Sequence, residues 1–151
     1  MSDTPLLVIA AVAVGAAVPL QSAINARMAS LQGHPLYGAI ANTIVATLCL
    51  LTLIVALRIP PPRLPPIEQV PPYLWIGGVI GACFVFGALY IAPRIGGALF
   101  AAAAILGTAV GSMAIDHFGL FGFPARPMTL YRFAGASSLL GGTVLINAGR
   151  A

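Results

Sequence analysis

Two carboxamides four residues apart, Gln21 and Asn25, stand in a stretch that is otherwise apolar. Amides carry donors and acceptors without charge, so in an oily medium they can bond a neighbouring helix or line a solute path. The spacing puts both on one helix face, just beyond Pro19. Asn42 offers a third amide. Thr108, Ser112 and Asp116 repeat at the same spacing and form a second polar stripe, with His117 next to it. Phe86 and Tyr90, also four apart, could wall a ligand or simply pack and anchor in lipid. Asn42 with Thr43 and Thr47, and Thr143 with Asn147, are weaker signals, because hydroxyls readily bond their own helix carbonyls. Bond-making chemistry has little to draw on. No helix pairs a His with a Glu, and Cys49 and Cys83 stand alone without CxxC or Cys/His spacing. Neither an enzyme nor a metal site is expected, and no cofactor is implied.

The elements that must hold these groups follow from the charges. Seven Arg and three Asp or Glu are the formally charged side chains, and they leave five long stretches bare: 4–26, 28–57, 69–93, 95–115 and 133–149. A membrane-crossing helix needs about 20 mostly apolar residues. With 60% hydrophobic and 7% charged residues, the chain lies far from soluble domains, where about a quarter are charged. The expected fold is an all-α integral membrane protein, one transmembrane domain over residues 1–151, with helices near 5–26, 36–57, 73–90, 95–115 and 128–148. The isolated arginines suit headgroup anchoring rather than nucleic acid, which needs a basic patch. The N-terminus lacks the positive start of a secretory signal, so the first helix is read as uncleaved.

Several residues shape these spans. Pro19 removes a donor and presses on the carbonyl of Gly15, so Gly15 and Pro19 are expected to kink the first helix and to serve as a hinge. Residues 59–72 hold seven of the thirteen prolines and read as a stiff, extended, non-helical connector. Tyr73, Trp75 and Tyr90 are placed like interfacial anchors. Gly77 with Gly81, and Gly107 with Gly111, have the spacing that lets helix backbones approach closely. A tight turn is expected at Ala92-Pro93-Arg94. Asp116 lies roughly 33 Å along the helix from Arg94, at the opposite interface, where it and His117 could cap the next connector or take part in coupling or gating.

Five spans put the termini on opposite sides. Arg58, Arg63, Arg126 and Arg132 then face Arg27, Arg94 and Arg150, four against three. Orientation follows an excess of Lys and Arg on the cytoplasmic side, and this excess is one residue. Two readings follow: insertion in both orientations with antiparallel pairing of two copies, which is favoured, or one orientation set by a small bias or a partner chain. Two inverted five-helix units make a ten-helix inverted repeat.

Three segments, GAAVPLQSAINARMASLQGHPLYGAIANTIVATLCLL, WIGGVIGACFVFGALYIAPRIGGALFAAAAILGT and IDHFGLFG followed by Arg126-Pro127, resemble the small YdcZ-like branch of the drug/metabolite transporter superfamily. Gln21 with Asn25, Pro93-Arg94-Gly96 and Asp116-His117-Phe118-Gly119 carry the likeness, which covers nearly the whole chain. Two departures fall where polar lining is expected. Asn42-Thr43-Ile44-Val45-Ala46 replaces a Ser-Phe-x-x-Gly-like stretch, and Thr108 stands where many members have Gln. The resemblance implies a small-molecule carrier of the bacterial inner (plasma) membrane, working as a homodimer or as a heterodimer with a paralogue. Small multidrug carriers of the superfamily use a glutamate in the first span, yet no acidic residue lies between Thr4 and Ile67 here. Cation–proton antiport of that kind is not expected, and neutral or zwitterionic solutes suit amides better. The expectation is a secondary transporter working by alternating access. The other class is a non-transporting membrane subunit assembled with another complex, which small-residue faces serve equally well.

Overall fold

Gly33, Arg58, Gly96 and Gly119, all of positive φ, mark where four of the described helices end. The computed structural model describes residues 4–62 and 65–149, apart from the Ile67 side chain. Five α-helices follow in order: α1 (Thr4–Gln32), α2 (Pro35–Ala56), α3 (Ile76–Ile95), α4 (Gly97–Phe118) and α5 (Leu130–Ala148). No strand occurs among the described residues. Arg63 and Arg150, used in reading the charge balance, lie outside them.

The expected bounds need four corrections. α1 does not stop at Arg27; it runs through Pro19 to Gln32, because Ala26 to Gln32 contains good helix formers and nothing that ends a helix. The stop comes at Gly33, φ 82°. Likewise α3 continues past Tyr90 and through Pro93. The turn expected at Ala92-Pro93-Arg94 lies instead at Gly96, whose φ of 81° is open to glycine and costly to other residues. α4 reaches Phe118, so Asp116 and His117 belong to its last turn and not to a connector. Finally, residues 59–72 are not wholly extended. Short 3₁₀ turns form at Ile67–Gln69 and Pro72–Trp75, closed by the Gln69 N–H on the Pro66 carbonyl (2.8 Å) and the Leu74 N–H on the Pro71 carbonyl (3.0 Å). Proline opens such a turn without loss, since its missing N–H has no partner there anyway.

The end of α2 uses an unusual residue. Arg58 has φ 51°, the Arg58 N–H bonds the Val55 carbonyl (3.1 Å), and the Ile59 N–H bonds the Ile54 carbonyl (3.0 Å). This is the double closure of a Schellman motif, with arginine where glycine is usual.

The chain forms two units, Met1–Pro93 and Arg94–Ala151. In the first, α1 and α2 pack as a hairpin; in the second, α4 and α5 do. Little is buried within either: Ala29, Gly38, Ala88 and Leu89 are the buried residues among those described. Val14, Val55 and Leu130 are 71%, 77% and 80% exposed. Water would penalise such surface at about 25 cal/mol per Å²; lipid does not. α1, α2, Pro72–Ile95 and α4 are long and apolar enough to cross a membrane. α5 has 19 residues and carries Arg132, Ser137, Ser138 and Asn147, which leave it less apolar. The protein is an all-α membrane protein with four clear candidate spans.

Candidate functional site

The α1–α2 hairpin is built to bring amides together. His34 caps α2, its Nδ1 accepting the Leu36 N–H at 3.2 Å, and Pro35 occupies the first turn. One turn further, Gly38 lies against buried Ala29. A Cβ on Gly38 would sit 2.6 Å from the Ala29 Cβ and 3.0 Å from its Cα. Glycine is therefore required by the approach of the two helices. The antiparallel register that sets 38 opposite 29 sets 42 opposite 25, one turn along each helix. There Asn25 Nδ2 donates to Asn42 Oδ1 at 2.9 Å, and Gln21 Nε2 reaches the same oxygen at 3.3 Å.

Asn25 and Asn42 are half-buried and Gln21 is exposed. Seven residues separate Asn42 from Pro35, so the cluster lies about 10 Å in from the end of α2, roughly a third of the way across a bilayer core of about 30 Å. Asn42 Oδ1 has both lone pairs engaged. Among the described residues the three amides make no further hydrogen bond, which leaves Gln21 Oε1, Asn25 Oδ1, both N–H of Asn42 Nδ2 and one N–H each on Gln21 Nε2 and Asn25 Nδ2 open. Such a cluster can bind a hydrogen-bonding solute; it cannot move a proton at ordinary pH, because no amide titrates there.

The other expected lining residues stand on α3 and α4. Phe86 and Tyr90 pair along α3, ring centroids 5.9 Å apart and tilted 30°. Thr108 donates to the Ala104 carbonyl of its own helix at 2.8 Å, and Ser112 is exposed on α4. Thr43, Thr47 and Thr143 likewise bond carbonyls four residues back. Glycines 15, 77, 81, 107 and 111 have open space where a Cβ would stand, so no close helix approach is made at them here. Gly38 makes it instead. Sequence reading passed over Gly38 because no second small residue stands four positions away to complete a recognised pair. A shallow groove of about 410 Å³ on α1, lined by Ala23, Ile24, Arg27, Met28 and Leu31, contains none of the amides.

Asp116 and His117 anchor the connector between α4 and α5. The Asp116 carboxylate accepts from Arg132 at 2.6 Å, with both side chains somewhat over a quarter exposed. Arg132 also donates to the Arg126 carbonyl (2.9 Å), and the Arg126 N–H donates to the Asp116 carbonyl (2.7 Å). The Met128 N–H donates to His117 Nδ1 at 3.0 Å. Thr129 caps α5 by accepting the Arg132 N–H at 3.3 Å. Arg132, read from sequence only as an orientation charge, is thus the partner of Asp116; a lone cation one turn inside an apolar helix was the available signal that an anion must meet it. Among the described residues, no group of His, Cys, Asp and Glu is arranged to hold a metal, and both cysteines are free.

The model of the YdcZ family, described as a proposed inner membrane exporter, matches residues 6–145. No curated protein and no solved structure matches the chain.

Proposed function

The chain belongs to the YdcZ family of proposed inner membrane exporters, and from that premise we propose a secondary transporter that moves a small polar or amphipathic solute by alternating access. The convergence of Gln21 and Asn25 on Asn42 inside an otherwise apolar helix pair carries this reading. Polar groups at that depth are costly unless something bonds them, and both α1 amide oxygens and several N–H groups of the cluster remain unbonded. Thr108, Ser112, Phe86 and Tyr90 extend the lining, and Gly15 with Pro19 supplies the hinge. α5 is the fifth span, its less apolar face turned to protein rather than lipid. Two copies pair antiparallel as a homodimer, completing a ten-helix inverted repeat. The near-equal arginine count on the two sides and the glycine faces left open on α3 and α4 support that pairing.

Liposomes containing the purified protein and loaded with a solute panel test the carrier itself. Flux should appear, and should fall after Gln21→Ala and Asn25→Ala together; unchanged flux removes these residues from the path. A C-terminal tag should be reachable from both membrane faces, and a tag found on one face alone ends the inverted pairing. Co-purification with a stoichiometric unrelated partner, and no flux alone, would favour an accessory subunit.

A further inference from the structure

The geometry points to a solute class: a neutral molecule carrying an amide-type edge, a carboxamide, urea or lactam, held by Gln21, Asn25 and Asn42. This inference rests on the carrier reading and sharpens it. Asn42 Oδ1 accepts from both Asn25 Nδ2 (2.9 Å) and Gln21 Nε2 (3.3 Å), which fixes how all three amides are turned. Open are then two carbonyl acceptors on α1, Gln21 Oε1 and Asn25 Oδ1, together with the second N–H of Gln21 Nε2 and of Asn25 Nδ2, and both N–H of Asn42 Nδ2 on α2. An amide edge supplies the complement, N–H groups beside a C=O, and can meet both helices at once.

Formal charge is absent from the cluster. No acidic residue occurs between Thr4 and Ile67, so a cation would find no counter-charge in a medium that strongly penalises bare ions. The nearest cation, Arg27, follows Asn25 by two residues and so falls roughly 200° around α1 from it. It lines the separate groove with Ala23, Ile24, Met28 and Leu31. An anion would likewise find no counter-charge among these amides, and would meet the two open carbonyl oxygens beside their N–H groups. A ketone can accept from the open N–H groups but leaves both carbonyl acceptors unpaired, and leaving polar groups unpaired is what lets a site reject an analogue.

The test uses the full-length protein in liposomes, with flux and binding measured for a graded series of carboxamides, ureas and lactams. Each is set beside its ketone and its protonated-amine counterpart, as in ε-caprolactam, cycloheptanone and azepanium. Amide members should be preferred by at least about tenfold over both. Gln21→Leu leaves the Asn25–Asn42 bond in place and removes one of the two open acceptors, so it should lower the amide-over-ketone ratio severalfold. Asn42→Asp keeps the shared acceptor and converts the donor, and should shift preference from amides toward the protonated amine. Should Asn42→Asp fail to fold, judged by gel filtration, Gln21→Leu decides. Transport of charged or acceptor-only solutes with no amide preference overturns the class and leaves the carrier reading standing. Absence of flux and binding for every solute overturns the carrier reading itself.

Discussion

Replacing Gly38 by alanine should loosen the α1–α2 hairpin and with it the amide cluster. The new Cβ would lie 2.6 Å from the Ala29 Cβ, against about 3.5–4.0 Å for carbon atoms in ordinary contact. The backbone Cα and N of Ala29, at 3.0 and 3.1 Å, cannot rotate away, so the helices must part by about 1 Å. Overpacking of this kind costs about 1–3 kcal/mol. Parting by the same amount one turn along would stretch the 2.9 Å Asn25–Asn42 bond beyond hydrogen-bond range and lose about 0.6 kcal/mol more. Against this, alanine is the better helix former by about 1 kcal/mol. The net expectation is a destabilisation of about 1–2 kcal/mol, read as an earlier midpoint when protein in mild detergent is unfolded with a denaturing detergent. Ala29→Gly in the same background removes the nearest atom and should recover part of the loss. A Gly38→Ala protein as stable as the parent would refute the argument that this approach sets the hairpin.

Three further outcomes are expected. Asp116→Asn and Arg132→Gln should each cost about 1 kcal/mol, kept modest because both side chains remain partly exposed and water screens them; the exchanged pair Asp116→Arg with Arg132→Asp should recover part, as seen in the same unfolding assay. His117→Ala removes the acceptor for the Met128 N–H, so hydrogen exchange at that amide should quicken while the amides of α2 are unaffected. Arg58→Gly relieves a left-handed arginine at the end of α2 and should stabilise by about 1 kcal/mol, with any change in membrane orientation read separately from a terminal tag.

The helical, lipid-embedded character of the chain was legible because it depends on composition summed over long stretches. Such a signal survives errors at single positions. Boundaries were less legible. Arg27 and Pro93 read as ends, yet α1 and α3 pass through both, because a single arginine is compatible with helix and proline is tolerated in membrane-spanning helices. The stops at Gly33 and Gly96 depend on φ, which glycine permits but does not announce. Arg58 shows the converse, a left-handed cap with no glycine to mark it.

Sequence by itself determined that Gln21 and Asn25 share a face, since helical periodicity requires it, and that polar groups there are few. It determined as well that formal charge is missing from the first two helices, apart from Arg27. Which amide they meet was decided by tertiary structure: the register through Gly33, His34 and Gly38 sets Asn42 opposite Asn25 and directs two donors onto one oxygen. The pairing of Asp116 with Arg132 was decided in the same way. Spacing along one helix is local and can be read residue by residue, whereas contacts between helices depend on how closely two backbones approach, and here the missing Cβ of Gly38 sets that distance.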